Sequence, residues 1–122
     1  MMSTILVVED STAQRTMIAN LLKHNGMDVL EAKGGTEALQ RIQSQCPDLV
    51  VLDIIMPNPN GYDVCRKIKR DAATQHVPIV MCSCKGEEFD RYWGMKMGAD
   101  AYIAKPFHPD ELLSAVKQLL TS

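Results

Sequence analysis

Three stretches of the chain are short and wholly apolar: residues 5–8, 49–52 and 79–82. Unbroken apolar runs of this length, bounded by turn residues, read as strands buried on both faces. Each ends on a polar group: Glu9-Asp10 after the first, Asp53 after the second, Ser83 after the third. Turn chemistry follows Asp53 at Pro57, Asn58, Pro59, Asn60 and Gly61. Residues 28–32 and 101–104 are mixed in polarity and are expected at sheet edges, the second running into Lys105-Pro106.

Between these runs the apolar spacing changes to that of helices. Ser11-Thr12-Ala13-Gln14 fits a capping box, with Ser11 as N-cap and Gln14 reaching back. Ala13, Met17 and Leu21, with Ile18 and Leu22, continue that helix to about His24, and Gly26 stops it. Gly34-Gly35 opens a helix carrying Ala38, Leu39 and Ile42. Val64, Cys65 and Ile68 mark a third, whose other face (Arg66, Lys67, Lys69, Arg70) is expected to be solvated. Residues 71–78 read as a loop. A fourth helix is expected from about Glu87 to Met97, ended by Gly98. Pro109 takes the first position of the last helix, with Asp110 and Glu111 where the helix dipole favours them. Leu112, Leu113, Val116, Leu119 and Leu120 form its buried stripe.

Five strand–helix pairs in alternation predict an α/β fold: a doubly wound (βα)5 domain with a parallel five-stranded sheet. Placing the three apolar strands inside and the mixed ones outside, with right-handed crossovers, gives the order 2-1-3-4-5 of a flavodoxin-like sheet. At 122 residues, the whole of 1–122 is expected to be one domain with no output domain attached. A net charge of -2 argues against a nucleic-acid partner. The absence of a long apolar segment argues against membrane insertion, and no signal-peptide pattern opens the chain, so a cytoplasmic protein is expected. Cys46, Cys65, Cys82 and Cys84 have no zinc spacing and read as buried reduced thiols. His24, His76 and His108 have no ligand spacing and are assigned structural or surface roles.

In the order 2-1-3-4-5 the winding reverses between strands 1 and 3, and ligands bind at the carboxyl ends of the strands beside such a reversal. Glu9, Asp10, Asp53, Ser83 and Lys105 all arrive there. Three carboxylates in one concavity repel one another unless some protonate or a cation holds them together. A magnesium ion suits this donor set, which is hard oxygen throughout. Asp10 and Asp53 are the expected direct ligands, Glu9 acts through water, and the Ile55 backbone carbonyl completes the set. Phosphoryl transfer needs charge neutralisation and alignment more than acid–base chemistry. Asp53 is therefore expected to be the nucleophile, with Lys105 as a cationic partner and Ser83 as a hydroxyl donor.

Glu9-Asp10, Asp53-Ile-Ile-Met-Pro57 with Gly61, Ser83, Gly98-Ala99-Asp100 and Lys105-Pro106-Phe107 resemble the motifs of CheY-like response-regulator receiver domains, across essentially the whole chain. The resemblance implies that Asp53 accepts a phosphoryl group from a phosphohistidine on a sensor histidine kinase, with Mg2+ required. It implies that Ser83 swings toward the phosphoryl group and that Tyr102 moves inward with it. This would reshape the face of helix 4, strand 5 and helix 5 for a downstream protein, bound non-covalently by a monomer or weak dimer. By the same analogy Tyr92 and Met95 should be core residues, whereas Trp93 should be exposed as a binding anchor. The run Trp93-Gly94-Met95-Lys96-Met97-Gly98 is similar to single-domain regulators of type IV pilus and twitching or phototactic motility, of the PilH kind.

Three departures from the commonest receiver pattern are Ser83 for threonine, Cys84 for a small alanine, and Pro59 in the loop after Asp53. Ile55 and Lys85 stand where they could gate water attack on an acyl phosphate, and Ile55→Asn is expected to hasten its hydrolysis. Two alternatives use the same architecture. A haloacid-dehalogenase-type phosphatase also uses a strand-end Asp nucleophile, but it carries a second acid where this chain has Ile55. A receiver-like adaptor would work without phosphorylation, and the intact acidic set argues against it.

Overall fold

The computed structural model describes residues 2–84 and 87–121, so Lys85 and its expected gating role lie outside the described residues. Five strands and five helices alternate: β1 (Thr4–Val8), α1 (Thr12–His24), β2 (Asp28–Ala32), α2 (Gly35–Ser44), β3 (Leu49–Asp53), α3 (Gly61–Arg70), β4 (Ile79–Ser83), α4 (Glu88–Lys96), β5 (Ala101–Ala104) and α5 (Pro109–Leu120). All pairings are parallel, in the order β2-β1-β3-β4-β5. Every residue of β3 and β4 is buried, while β2 and β5 are partly exposed, as their mixed sequences require.

The sheet divides the core into two apolar layers. Leu6, Val50, Leu52 and Met81 face one way, against Ile42 of α2 and Val64 and Ile68 of α3. Ile5, Val7, Val51 and Val80 face the other way, against Ile18 and Leu22 of α1 and Leu112 and Val116 of α5. This alternation along each strand follows from the period-two geometry of extended chain.

Several side chains lie elsewhere than their spacing suggests. In α1, Ala13 and Met17 are exposed and the inward stripe is Arg15, Ile18, Ala19 and Leu22. The buried Arg15 is held at two points: its Nη1 donates to the Glu9 carbonyl at 2.9 Å and its Nε to Glu31 at 3.2 Å. In α3, Lys69 belongs to the structure rather than to a solvated face, donating to the Val77 carbonyl at 2.8 Å and pairing with Asp100 at 3.0 Å. Asp100 also accepts from the Ile79 N–H at 2.8 Å, pinning the entry to β4. Gly98 precedes it with φ +113°, a left-handed conformation that favours glycine.

Only Gly94 of α4 is buried, and a Cβ there would meet Met81 Sδ at 2.9 Å and the Tyr102 ring at 3.0 Å. The helix therefore rests on the sheet along a stripe through Asp90, Gly94 and Met97. Tyr92 and Met95, expected in the core, are rotated outward and are 53% and 44% exposed. Trp93 is exposed as expected, at 41%. Of the cysteines, Cys65 and Cys82 are buried but Cys46 and Cys84 are exposed, because both follow the ends of their elements rather than lying within them. Burial pushes the thiols of Cys65 and Cys82 up to about 12. His108 is the N-cap of α5, its Nδ1 accepting from the Asp110 N–H at 3.3 Å.

Candidate functional site

Parallel pairing in register brings the carboxyl ends of β1, β3, β4 and β5 to one edge of the sheet. A cleft of about 550 Å³ opens there, with Glu9, Asp10, Asp53, Ile55, Cys84 and Lys105 in its wall. Carboxylate oxygens of Glu9, Asp10 and Asp53 all lie within 4.8 Å of one another. Glu9 and Asp53 are buried; Asp10 is exposed at the mouth.

Local structure holds these groups in place. Gly61 packs so closely beneath Asp53 that a Cβ would stand 2.3 Å from the Asp53 carbonyl oxygen. Only glycine lets α3 begin there, capped by the reciprocal bonds between Asn60 and Asp63. Glu9 uses both oxygens: Oε1 accepts from the Ser11 N–H at 3.2 Å and Oε2 from Lys105 Nζ at 2.5 Å. The Ser11 amide is thus occupied by Glu9, and the expected capping box is half made. Ser11 Oγ accepts from the Gln14 N–H at 3.3 Å, but the Gln14 side chain turns into the cleft and accepts from Lys105 Nζ at 2.5 Å.

Lys105 Nζ stands 3.7 Å from Asp53 Oδ1, an ion pair too long for a hydrogen bond. That oxygen is buried and has no hydrogen-bond partner among the described residues. Burial, reinforced by the Glu9 charge, raises the Asp53 carboxyl to about 6, against the pull of Lys105 and of the Ile54 and Ile55 amides. For Lys105, burial works to discharge the ammonium, but Glu9 and Asp53 outweigh it and hold its pKa above the ordinary lysine value. A buried, unpartnered oxygen among converging carboxylates fits a hard divalent cation better than it fits the bare protein.

Ser83 is fully buried at the end of β4. Tyr102 of β5 already lies inward, 4% exposed, with the Arg91 guanidinium 5.5 Å from its ring centre. Burial raises the Tyr102 phenol to about 12, opposed by Arg91 and by a hydrogen bond with Ser83. Trp93 stands apart from the cleft on the exposed side of α4. The structure therefore gathers Glu9, Asp10, Asp53, Ile55 and Lys105 around one cavity, links Ser83 to Tyr102 beside it, and leaves Trp93 outside. Gln14 is the polar cleft residue that sequence spacing placed elsewhere, since nothing in its helical position reveals a lysine 91 residues away.

The profile of the response regulator receiver domain matches residues 5–117. The chain is 42% identical over 117 residues to the phosphate regulon transcriptional regulatory protein PhoB of Pseudomonas aeruginosa, covering 96% of this chain and 51% of that one. The chain thus spans about half the length of that regulator, and 8% of a histidine kinase of Formosa agariphila that it also matches. A candidate response regulator from Chloroflexus aurantiacus J-10-fl superposes with a TM-score of 0.96 at 34% identity, covering all of both chains. The chemotaxis protein CheY4 of Vibrio cholerae superposes with a TM-score of 0.91 at 28% identity, covering 98% of this chain and 99% of that one.

Proposed function

This chain belongs to the response regulator receiver family, and from that premise we propose that Asp53 is its phosphoacceptor and that a sensor histidine kinase is its donor. The observation that carries this reading is the buried Asp53 oxygen without a hydrogen-bond partner, facing Lys105 across a cleft walled by two further carboxylates. Asp10 and Asp53 would hold a magnesium ion directly, with Glu9 through water and the Ile55 carbonyl as a further donor. When bound, the ion supplies positive charge that offsets the carboxylates and the incoming phosphoryl oxygens.

The protein's own part is a carboxylate aimed at phosphorus, a lysine for one phosphoryl oxygen and the Ser83 hydroxyl for another. Because Ser83 is tied to Tyr102, a phosphoryl group that draws the hydroxyl also pulls on β5 and on the α4 surface above it. Exposed Phe89, Tyr92 and Trp93 on α4 make the α4–β5–α5 face the docking site we assign to a downstream protein. The run from Trp93 to Gly98 supports a role in type IV pilus or related motility, and a deletion strain with normal surface motility would remove it.

Incubation with acetyl phosphate and magnesium chloride, followed by intact mass measurement, tests the phosphoacceptor role. The expected product carries one phosphoryl group in the wild type and none in Asp53→Asn. Modification that survives Asp53→Asn, or no modification of the wild type, contradicts it.

A further inference from the structure

The Lys105 ammonium has three protons to donate. Two are committed, to Glu9 Oε2 and to Gln14 Oε1, each at 2.5 Å, while Asp53 Oδ1 is left at 3.7 Å. The lysine is thus moored on the α1 side of the cleft, away from the residue it would have to serve. Its two moorings differ in kind. Glu9 is buried and anchored through its second oxygen to the Ser11 amide. Gln14 is exposed and neutral, and its amide group can turn out to solvent once released.

We propose that Gln14 is a positioning residue that holds Lys105 off Asp53 in the resting cleft and so sets how readily the ammonium passes to a phosphoryl group. The inference rests on Asp53 being the phosphoacceptor. A phosphoryl group brings nearly two negative charges and three acceptor oxygens, and would draw the lysine toward Asp53 as a charge-assisted partner. Closing the 3.7 Å gap to Asp53 draws Lys105 away from Gln14, and whatever part of that hydrogen bond is stretched or broken in the transition state slows the transfer. Only the side chain of Gln14 is used in this way. Its backbone N–H still caps on Ser11, so a residue of similar length and good helix propensity leaves α1 intact.

The test compares wild type, Gln14→Met and Gln14→Glu in time-resolved phosphorylation by acetyl phosphate with magnesium chloride. Loss of the acceptor in Gln14→Met should speed modification about five-fold, and the charged acceptor in Gln14→Glu should slow it about five-fold. The slowing should persist at high ionic strength, where simple repulsion of the donor is screened. The Lys105 side-chain nitrogen resonance should shift in both variants, and magnesium affinity measured by calorimetry should be unchanged in Gln14→Met. Rates equal to wild type, rates that move in the same direction in both variants, or an unmoved Lys105 resonance overturn the proposal. Unchanged Gln14 variants of a protein that is labelled on Asp53 sink this inference alone. A wild type that is never labelled there sinks the phosphoacceptor reading and this inference with it.

Discussion

At the scale of single residues, the tension in this site is concentrated on Asp53, a carboxyl the fold places where ionisation is unfavourable. Its folded value of about 6 lies above the ordinary 3.8, so the fold favours the protonated form. That contribution to stability is complete below pH 4 and is lost as pH rises through 6. Without divalent cations, Asp53→Asn should therefore be more stable than wild type at pH 7.5, by on the order of 2 kcal/mol, with the gap closing near pH 4. Urea denaturation of both proteins in chelator at the two pH values measures this; equal midpoints at pH 7.5 would show that burial of Asp53 carries no penalty. Asp53, Glu9, Asp10 and Lys105 were legible in the sequence because each lies at the carboxyl end of a strand or within two residues beyond it, and strand ends in a parallel sheet converge. The destination of Gln14 was not legible, because a helical position fixes a side chain's height and bearing but not which distant partner meets it. The burial of Arg15 was hidden for a similar reason: only the folded sheet brings Glu31 and the Glu9 carbonyl to its guanidinium.

At the scale of elements, the connection from α4 to β5 shows how one side chain sets the position of two segments. Asp100 takes the Ile79 amide at the start of β4 and the Lys69 ammonium of α3, tying three elements together. Asp100→Ala leaves that amide unpaired where β4 is buried and should cost about 2 kcal/mol, whereas Asp100→Asn keeps an acceptor and should cost less than about 1 kcal/mol. Thermal or urea unfolding of the two variants checks the ordering, and equal losses would deny the amide its importance. The apolar runs of β1, β3 and β4 could be read directly, since a strand buried on both faces leaves no choice of which side turns inward. Helix α4 offered no such certainty. It carries apolar residues around much of its circumference, and its orientation is decided by the close approach at Gly94 to Met81 and Tyr102, a contact with no periodic signature. Tyr92 and Met95 therefore face solvent where the analogy with receivers expects core residues.

At the scale of the whole molecule, five strand–helix units bring Glu9, Asp10, Asp53 and Lys105 to one end of the sheet, and among the described residues the buried charged side chains are Glu9, Arg15 and Asp53. The wholly apolar runs mark the interior strands, and with right-handed crossovers and the resemblance to receivers they give the observed order, so the location of the site was legible along with the fold. No described helix is long and apolar enough to cross a membrane. A cation that binds the folded cleft and not the unfolded chain must stabilise the fold, by about 2.7 kcal/mol at a hundred-fold excess over its dissociation constant. Magnesium should accordingly raise the melting temperature of the wild type and raise it far less in Asp10→Asn; an equal rise in both would place the ion elsewhere. The account as a whole turns on which atom receives the phosphoryl group. Borohydride reduction of the acetyl phosphate-treated protein converts an aspartyl phosphate to homoserine, and peptide mapping then identifies the residue. Conversion confined to position 53 is the predicted result; conversion at Asp10 or another acid, or at none, would contradict it.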